Sequence, residues 1–218
     1  MIPATGIVSR YRENDTIRQA YAKFPYNLAE SPLANPLSVH VVVISKNLNQ
    51  TPQDQVLVRR RSNKVALYRG FYQSSAAGYM NLVAHVDDNG KPNLFLTAIE
   101  EAQEEIADKL DLQPSDFKLI GICANWEDLD LNAYGFVETG LSAAELIGDH
   151  KRDTSEGPLE SLPFSPSHVL EHIAKHPWEP VGAMAMCAAL SAHFDRAQVD
   201  AAAQRVPAKA WRDFTEQR

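Results

Sequence analysis

The sequence predicts an α/β fold: an α/β/α sandwich around a mixed β-sheet, with extra N-terminal and C-terminal helices. Three observations predict it. The apolar, largely β-branched run at 39–44 reads as a buried strand, and Gln55 to Arg60 as a second strand. A small-residue turn, Ser74 to Gly78, precedes an acidic segment, Thr97 to Ala107. If that segment is helical, Glu101, Glu104 and Glu105 stand at i, i+3 and i+4 and share one face. Two more strand-like runs follow, and the last third of the chain reads as helical.

In chain order, residues 1–37 form an N-terminal extension, 38–195 the main domain and 196–218 a C-terminal helical tail. Glu13 to Lys23 has helical character with Asn14 or Asp15 as cap, and stops before Phe24-Pro25. Prolines 25, 32 and 36 then impose an extended linker. Val39 to Ile44 is the first strand, Asn47 to Asp54 a polar loop, and Gln55 to Arg60 a second strand that could complete a hairpin. Tyr79 to Val86 reads as a third strand, closed by the turn Asp87-Asp88-Asn89-Gly90. Residues 96–109 form the acidic helix, followed by strands at Phe117–Ala124 and Ala133–Glu138. Ser142 and Glu145 match a capping box. His150 to Pro163 reads as a charged loop, Pro166 to Lys175 as a short helix, and Asp195 to Val206 as an exposed terminal helix. Val181 to Phe194 is apolar nearly all round, which suits either core or a subunit contact in a homodimer.

Composition narrows the function classes. With 218 residues, 44% of them hydrophobic, the chain can bury a full core as one large domain or a domain with appendages. A net charge of -7 argues against a general nucleic-acid or anionic-membrane surface. Cys123 and Cys187 lie in apolar runs without a CxxC partner, as expected of reduced core residues in a cytosolic protein. The first residues begin no apolar signal region, and no apolar run approaches the ~18 residues of a membrane span. The expectation is a cytoplasmic protein with a small-molecule substrate, no nucleic acid and no membrane.

Three carboxylates on one helix patch repel each other in water. A divalent cation relieves that repulsion, and Mg²⁺ is held by a few carboxylates while keeping positions open for phosphate oxygens. The same segment resembles the Nudix box. Ala98, Glu101, Glu104 and Glu105 fall on matching positions, and Gly78 is similar to the loop glycine. Glu100 stands where the family has Arg, Ala107 where it has Gly, and Pro92 where it has the upstream Glu; the loop between Gly78 and the helix is also longer. The resemblance implies attack of water on a diphosphate: a Mg²⁺- or Mn²⁺-dependent hydrolase of a nucleoside diphosphate derivative or similar organic pyrophosphate. It implies Glu101, Glu104 and Glu105 as metal ligands and Glu101 and Glu105 as the catalytic pair. The alternative is a module that keeps the fold and binds a nucleotide-like ligand without turnover. Glu100 and the long loop favour the module; the intact trio favours the enzyme.

Accessory candidates lie on both sides of the turn. Arg59, Arg60 and Arg61 alternate along a strand and its exit, so at least one faces the cleft; Arg59 and Arg60 stand as substrate-binding candidates, against a reading as surface charges. Tyr68, Phe71 and Tyr72 could stack on a base or sugar, or pack around the turn; Tyr72 and Gly78 complete the substrate-binding set. Glu156 and Glu160 are off-helix carboxylate candidates. His168, His172 and His176 have the spacing of Zn²⁺ ligands, but they also flank the apolar stripe Val169, Leu170 and Ile173, the simpler explanation.

Overall fold

The computed structural model describes residues 37–46, 53–65, 67–81, 83–125, 130–149 and 157–207. The expected helix at 13–23, the proline linker and Glu156 lie outside them. Strand β1 (Leu37–Ser45) sends Val39, Val41 and Val43 to one face of the sheet and Val42 and Ile44 to the other. A strand covered on both faces reads as a continuous apolar run, which is why it was legible. It runs parallel to β6 (Asp130–Thr139) over its whole length, from Leu37↔Leu131 to Ser45↔Thr139.

The other edge of β1 is shared. β4 (Ala76–Tyr79) pairs with Ser38 to Val41, whereas β2 (Gln55–Arg60) pairs only with Ile44 and Ser45. β2 then diverges toward β3 (Tyr72–Gln73) and β7 (Leu159–Pro163). Where β1 and β2 part, the Ser75 hydroxyl bridges them: it accepts the Val43 N–H at 2.8 Å and donates to the Leu57 carbonyl at 2.6 Å. β5 (Lys118–Asn125) closes the far edge, giving a seven-stranded mixed sheet ordered β3-β2-β1-β6-β5, with β4 beside β1 and β7 beside β2.

Helices cover both faces. α1 (Leu94–Glu105) and α2 (Ala143–Asp149) bury Ala98, Ala102 and Leu146 against Val39, Val41 and Leu57. α3 (Pro166–Lys175), α4 (Pro180–His193) and α5 (Arg196–Arg205) bury Ile173, Met186, Leu190 and Ala202 against Val42, Ile44 and Val58. The fold is thus the α/β/α sandwich the sequence predicts. Among the described residues, no helix is long and apolar enough to cross a membrane.

Three element expectations are corrected. The strand expected at 79–86 is instead β4, Ala76–Tyr79, and among the residues described beyond it, 80, 81 and 83–93, none belongs to a strand. Of the small residues read as a turn, Ala76, Ala77 and Gly78 belong to this strand, which must lie close to α1; Ala76 is fully buried there. β7 occupies the end of the segment read as loop, held by β2, with Leu159 in the core. α1 ends at Glu105 and not at 109; the Arg59 guanidinium donates to the Glu105 carbonyl at 2.5 Å.

Candidate active site

α1 orients the acidic residues. Asn93 caps its N-terminus by accepting the Phe95 N–H at 3.0 Å, and Ala98 and Ala102 face the core. Measured from the Ala98 direction, a helical step of roughly 100° sets Glu105 about 20°, Glu101 about 60°, Glu104 about 120° and Glu100 about 160° around the same side. Exposure follows that order. The Glu105 side chain is 12% exposed, Glu101 is half-buried, and Glu104 and Glu100 are exposed.

Glu101 and Glu105 open into a cavity of about 370 Å³ at the split in the sheet. Ala77, Gly78 and Tyr79 of β4 line it beside them, and Arg61, Leu67 and Tyr68 line it from the β2–β3 connection. Ser38, His40, Asn125, Asn132, Asp130 and Glu179 complete the wall. Gly78 permits the approach of α1: a Cβ there would lie 1.9 Å from the Glu101 carboxyl carbon. Glu105 is anchored further in, accepting the Ala77 N–H at 3.2 Å.

The polar wall is internally bonded. Ser38 donates to Asn132 Oδ1, Asn132 Nδ2 donates to Asp130 Oδ1 at 2.9 Å, and the Tyr79 hydroxyl donates to Asp130 Oδ2 at 3.4 Å. Glu179 caps α4 by accepting the Val181 and Gly182 N–H groups. Ser74 donates to the Ala76 carbonyl, so its oxygen accepts from His40 Nδ1 at 3.1 Å. Burial holds the His40 pKa below its ordinary value, partly opposed by Glu179 with its carboxylate 3.8 Å away. Tyr68 carries a positive φ of 51°, a costly conformation for a bulky residue, and does so in the cavity wall.

The predicted residues divide. Glu101, Glu105 and Gly78 come together; Glu104, Arg59, Arg60 and Tyr72 are not brought to the cavity lining. Glu104 projects to solvent because i+3 turns it away from the split. Arg59 is fully buried behind Glu105, and Arg60, one residue on, is exposed on the opposite side of the strand. Tyr72 sits in the second core, its hydroxyl donating to Glu160 at 3.1 Å and its ring stacked on Trp178. His172 and His176 pack on Tyr72 and on each other, with ring centroids 4.3 Å apart. Glu100 pairs with His85, in the segment that precedes α1. Since His85 Nδ1 accepts the Asn81 N–H at 2.9 Å, its Nε2–H donates to Glu100.

Sequence reasoning missed His40, Asp130, Asn132 and Glu179. Ser38 and His40, polar residues alternating through an apolar strand, were the available signal, as was Glu179 immediately before Pro180. Among the described residues, no three His, Cys, Asp or Glu side chains are grouped to hold a metal ion. What the cavity presents is the two-carboxylate face of Glu101 and Glu105. That donor set fits Mg²⁺ or Mn²⁺ where waters and substrate phosphate complete the coordination shell.

No curated protein and no protein-family model matches the sequence. Solved structures do resemble the chain. The NUDIX domain of Shewanella oneidensis NrtR, complexed with ADP ribose, superposes with a TM-score of 0.52 at 15% identity, covering 85% of this chain and 98% of that one. A mutT/nudix family protein from Listeria innocua gives a TM-score of 0.48 at 16% identity, over 73% and 94% of the two chains. A NUDIX hydrolase from Alicyclobacillus acidocaldarius gives 0.48 at 14%, over 72% and 91%. The first of these carries the comparison, and at its level of identity it speaks for architecture and not for reaction. On that footing the chain is a Nudix-fold protein.

Proposed function

We propose that this protein is a Mg²⁺- or Mn²⁺-dependent hydrolase of the diphosphate linkage in a nucleoside diphosphate derivative. The observation that carries the reading is the joint exposure of Glu101 and Glu105 to one polar cavity, with Gly78 permitting close approach of the helix. Glu101 and Glu105 would hold the cation, which when bound supplies charge neutralisation at the phosphoryl oxygens. Glu101, on the same cavity wall, would take the proton of an attacking water. Water adds to phosphorus, the bridging P–O bond breaks, and two phosphate monoesters leave. Arg61 supplies a guanidinium for the departing phosphate, and Tyr68 an aromatic face for the base or sugar.

A second reading, a nucleotide-binding module without turnover, is favoured by one observation: Glu104 stays outside the cavity. One experiment separates the two. Purified protein with Mg²⁺ is offered ADP-ribose, nucleoside diphosphate sugars, dinucleoside polyphosphates and nucleoside triphosphates, and released monophosphate is measured. Hydrolysis of at least one compound, reduced about 10²–10³-fold by Glu105→Gln, is the expected result. A silent panel in which ADP-ribose still raises the melting temperature supports the binding module and ends the enzyme reading.

A further inference from the structure

We propose that Arg59 is a positioning residue, which holds the Glu105 carboxylate in register with the cavity from behind. Its consequence for metal binding rests on the proposed function; its geometry does not. The Arg59 side chain is 0% exposed, and it is among the largest fully buried side chains. A guanidinium is rarely buried to that degree unless its charge and donors are answered. Here Nη1 donates to the Gly157 carbonyl at 2.9 Å and Nη2 to the Glu105 carbonyl at 2.5 Å. These two backbone contacts fix the planar fork at one end. Nε then donates to the Ser75 carbonyl at 3.4 Å and lies 3.6 Å from Glu105 Oε2.

That same Oε2 accepts the Ala77 N–H. The Glu105 carboxylate is therefore drawn from two directions, by a cation of β2 and by an amide of β4, across the split in the sheet. An arginine that served only to join β2 to its neighbours would need the three carbonyl contacts and no carboxylate. The approach of Nε to Glu105 ties the buried charge to the cavity. A lysine keeps the charge but loses the fork, so it cannot hold the three carbonyls and the carboxylate together.

Amide NMR of the full chain tests this without metal. The Ala77 N–H and the Arg59 Nε–H resonances report the Glu105 carboxylate directly. Glu105→Gln should move both. Arg59→Lys should move the Ala77 resonance in the same sense, Arg59→Met further, and neither should move it again in a Glu105→Gln background. Because Arg59→Met could fail to fold, Arg59→Lys and the Arg59 Nε–H signal of the Glu105→Gln protein carry the test alone. An Ala77 resonance unmoved by Arg59→Lys, a shift equally large with Gln at position 105, or an Arg59 Nε–H indifferent to Glu105→Gln would each overturn the proposal.

Mn²⁺ is then titrated into the same samples. In the wild type it should broaden Ala77 and Gly78 first, and Arg59→Lys should raise the Mn²⁺ needed by about 10–100-fold. No broadening near the cavity in the wild type counts against the metal-dependent reading, while the metal-free shifts still decide the role of Arg59.

Discussion

At the scale of single residues, contact geometry and burial give two testable results. A Cβ on Gly78 would fall 1.9 Å from the Glu101 carboxyl, which is the free end of a flexible side chain. Gly78→Ala should therefore cost no more than about 1 kcal/mol of stability, since the carboxyl swings aside. Its effect on function should be much larger: Mn²⁺ affinity, read by titration, should fall about tenfold or more. A variant with wild-type Mn²⁺ affinity would show that Glu101 is not a ligand. His172 tests the opposite core. Burial first, and then the neighbouring His176, depress its pKa from 6.5 to about 4. Between those values the unfolded chain binds a proton that the folded chain refuses, so stability is full above pH 6.5 and is lost as the pH falls toward 4. The loss should be about 1–2 kcal/mol after allowing for the part of the ring that meets solvent. His40, depressed by its own burial, acts in the same direction. His172→Phe should flatten the melting temperature between pH 6.5 and 4; an unchanged slope would remove His172 as the cause.

Between elements, the loop at 83–93 and α1 are joined by His85. Its Nδ1 accepts the Asn81 N–H and lies 2.8 Å from the Thr97 hydroxyl, its Nε2 donates to Glu100, and its carbonyl accepts the Asn93 N–H at 2.9 Å. Two departures from the Nudix box, the long loop and Glu100, are thus one feature, with the carboxylate at 100 fastening the loop. Glu100→Arg places a cation against the donor Nε2–H. With Glu100 48% exposed, the loss should be about 1 kcal/mol, or roughly 2–4 °C in melting temperature. Hydrolysis should not rise, because position 100 points away from the cavity. A rate increase on a substrate the wild type accepts would show that an arginine there reaches the site after all. Strand β2 shows how narrow such assignments are: Arg59 and Arg60 differ by one residue, and the alternation of a strand buries one and exposes the other. The triplet Arg59-Arg60-Arg61 was visible in the sequence; its phase was not. That phase is set by pairing with β7 and β3, and β7 itself lay in a segment that reads as loop.

Across the whole molecule, the cavity exists because β1 gives one edge to both β4 and β2, which separate, and α1 lies over the gap. Mn²⁺ should stabilise this arrangement by binding the folded state alone, raising the melting temperature with concentration. Glu101→Gln or Glu105→Gln should remove that increment, whereas Glu104→Gln should leave most of it, since Glu104 is outside the cavity. Equal loss with all three substitutions would mean that the helix turns its carboxylates differently when metal is bound. Most elements were legible in the chain because the signals are local: apolar runs for β1 and β2, the Ser142–Glu145 capping box, and the Pro166–Lys175 helix, found as expected. The helical spacing also identified Glu101 and Glu105 as neighbours. What the sequence alone determined was therefore the order and type of most elements and the acidic helix. The tertiary structure decided which carboxylates face the cavity, which arginine stands behind them and which polar groups of β1 and β6 complete the wall. Those outcomes depend on how strands far apart in sequence pair and where they separate, and periodicity along one segment carries no information about that.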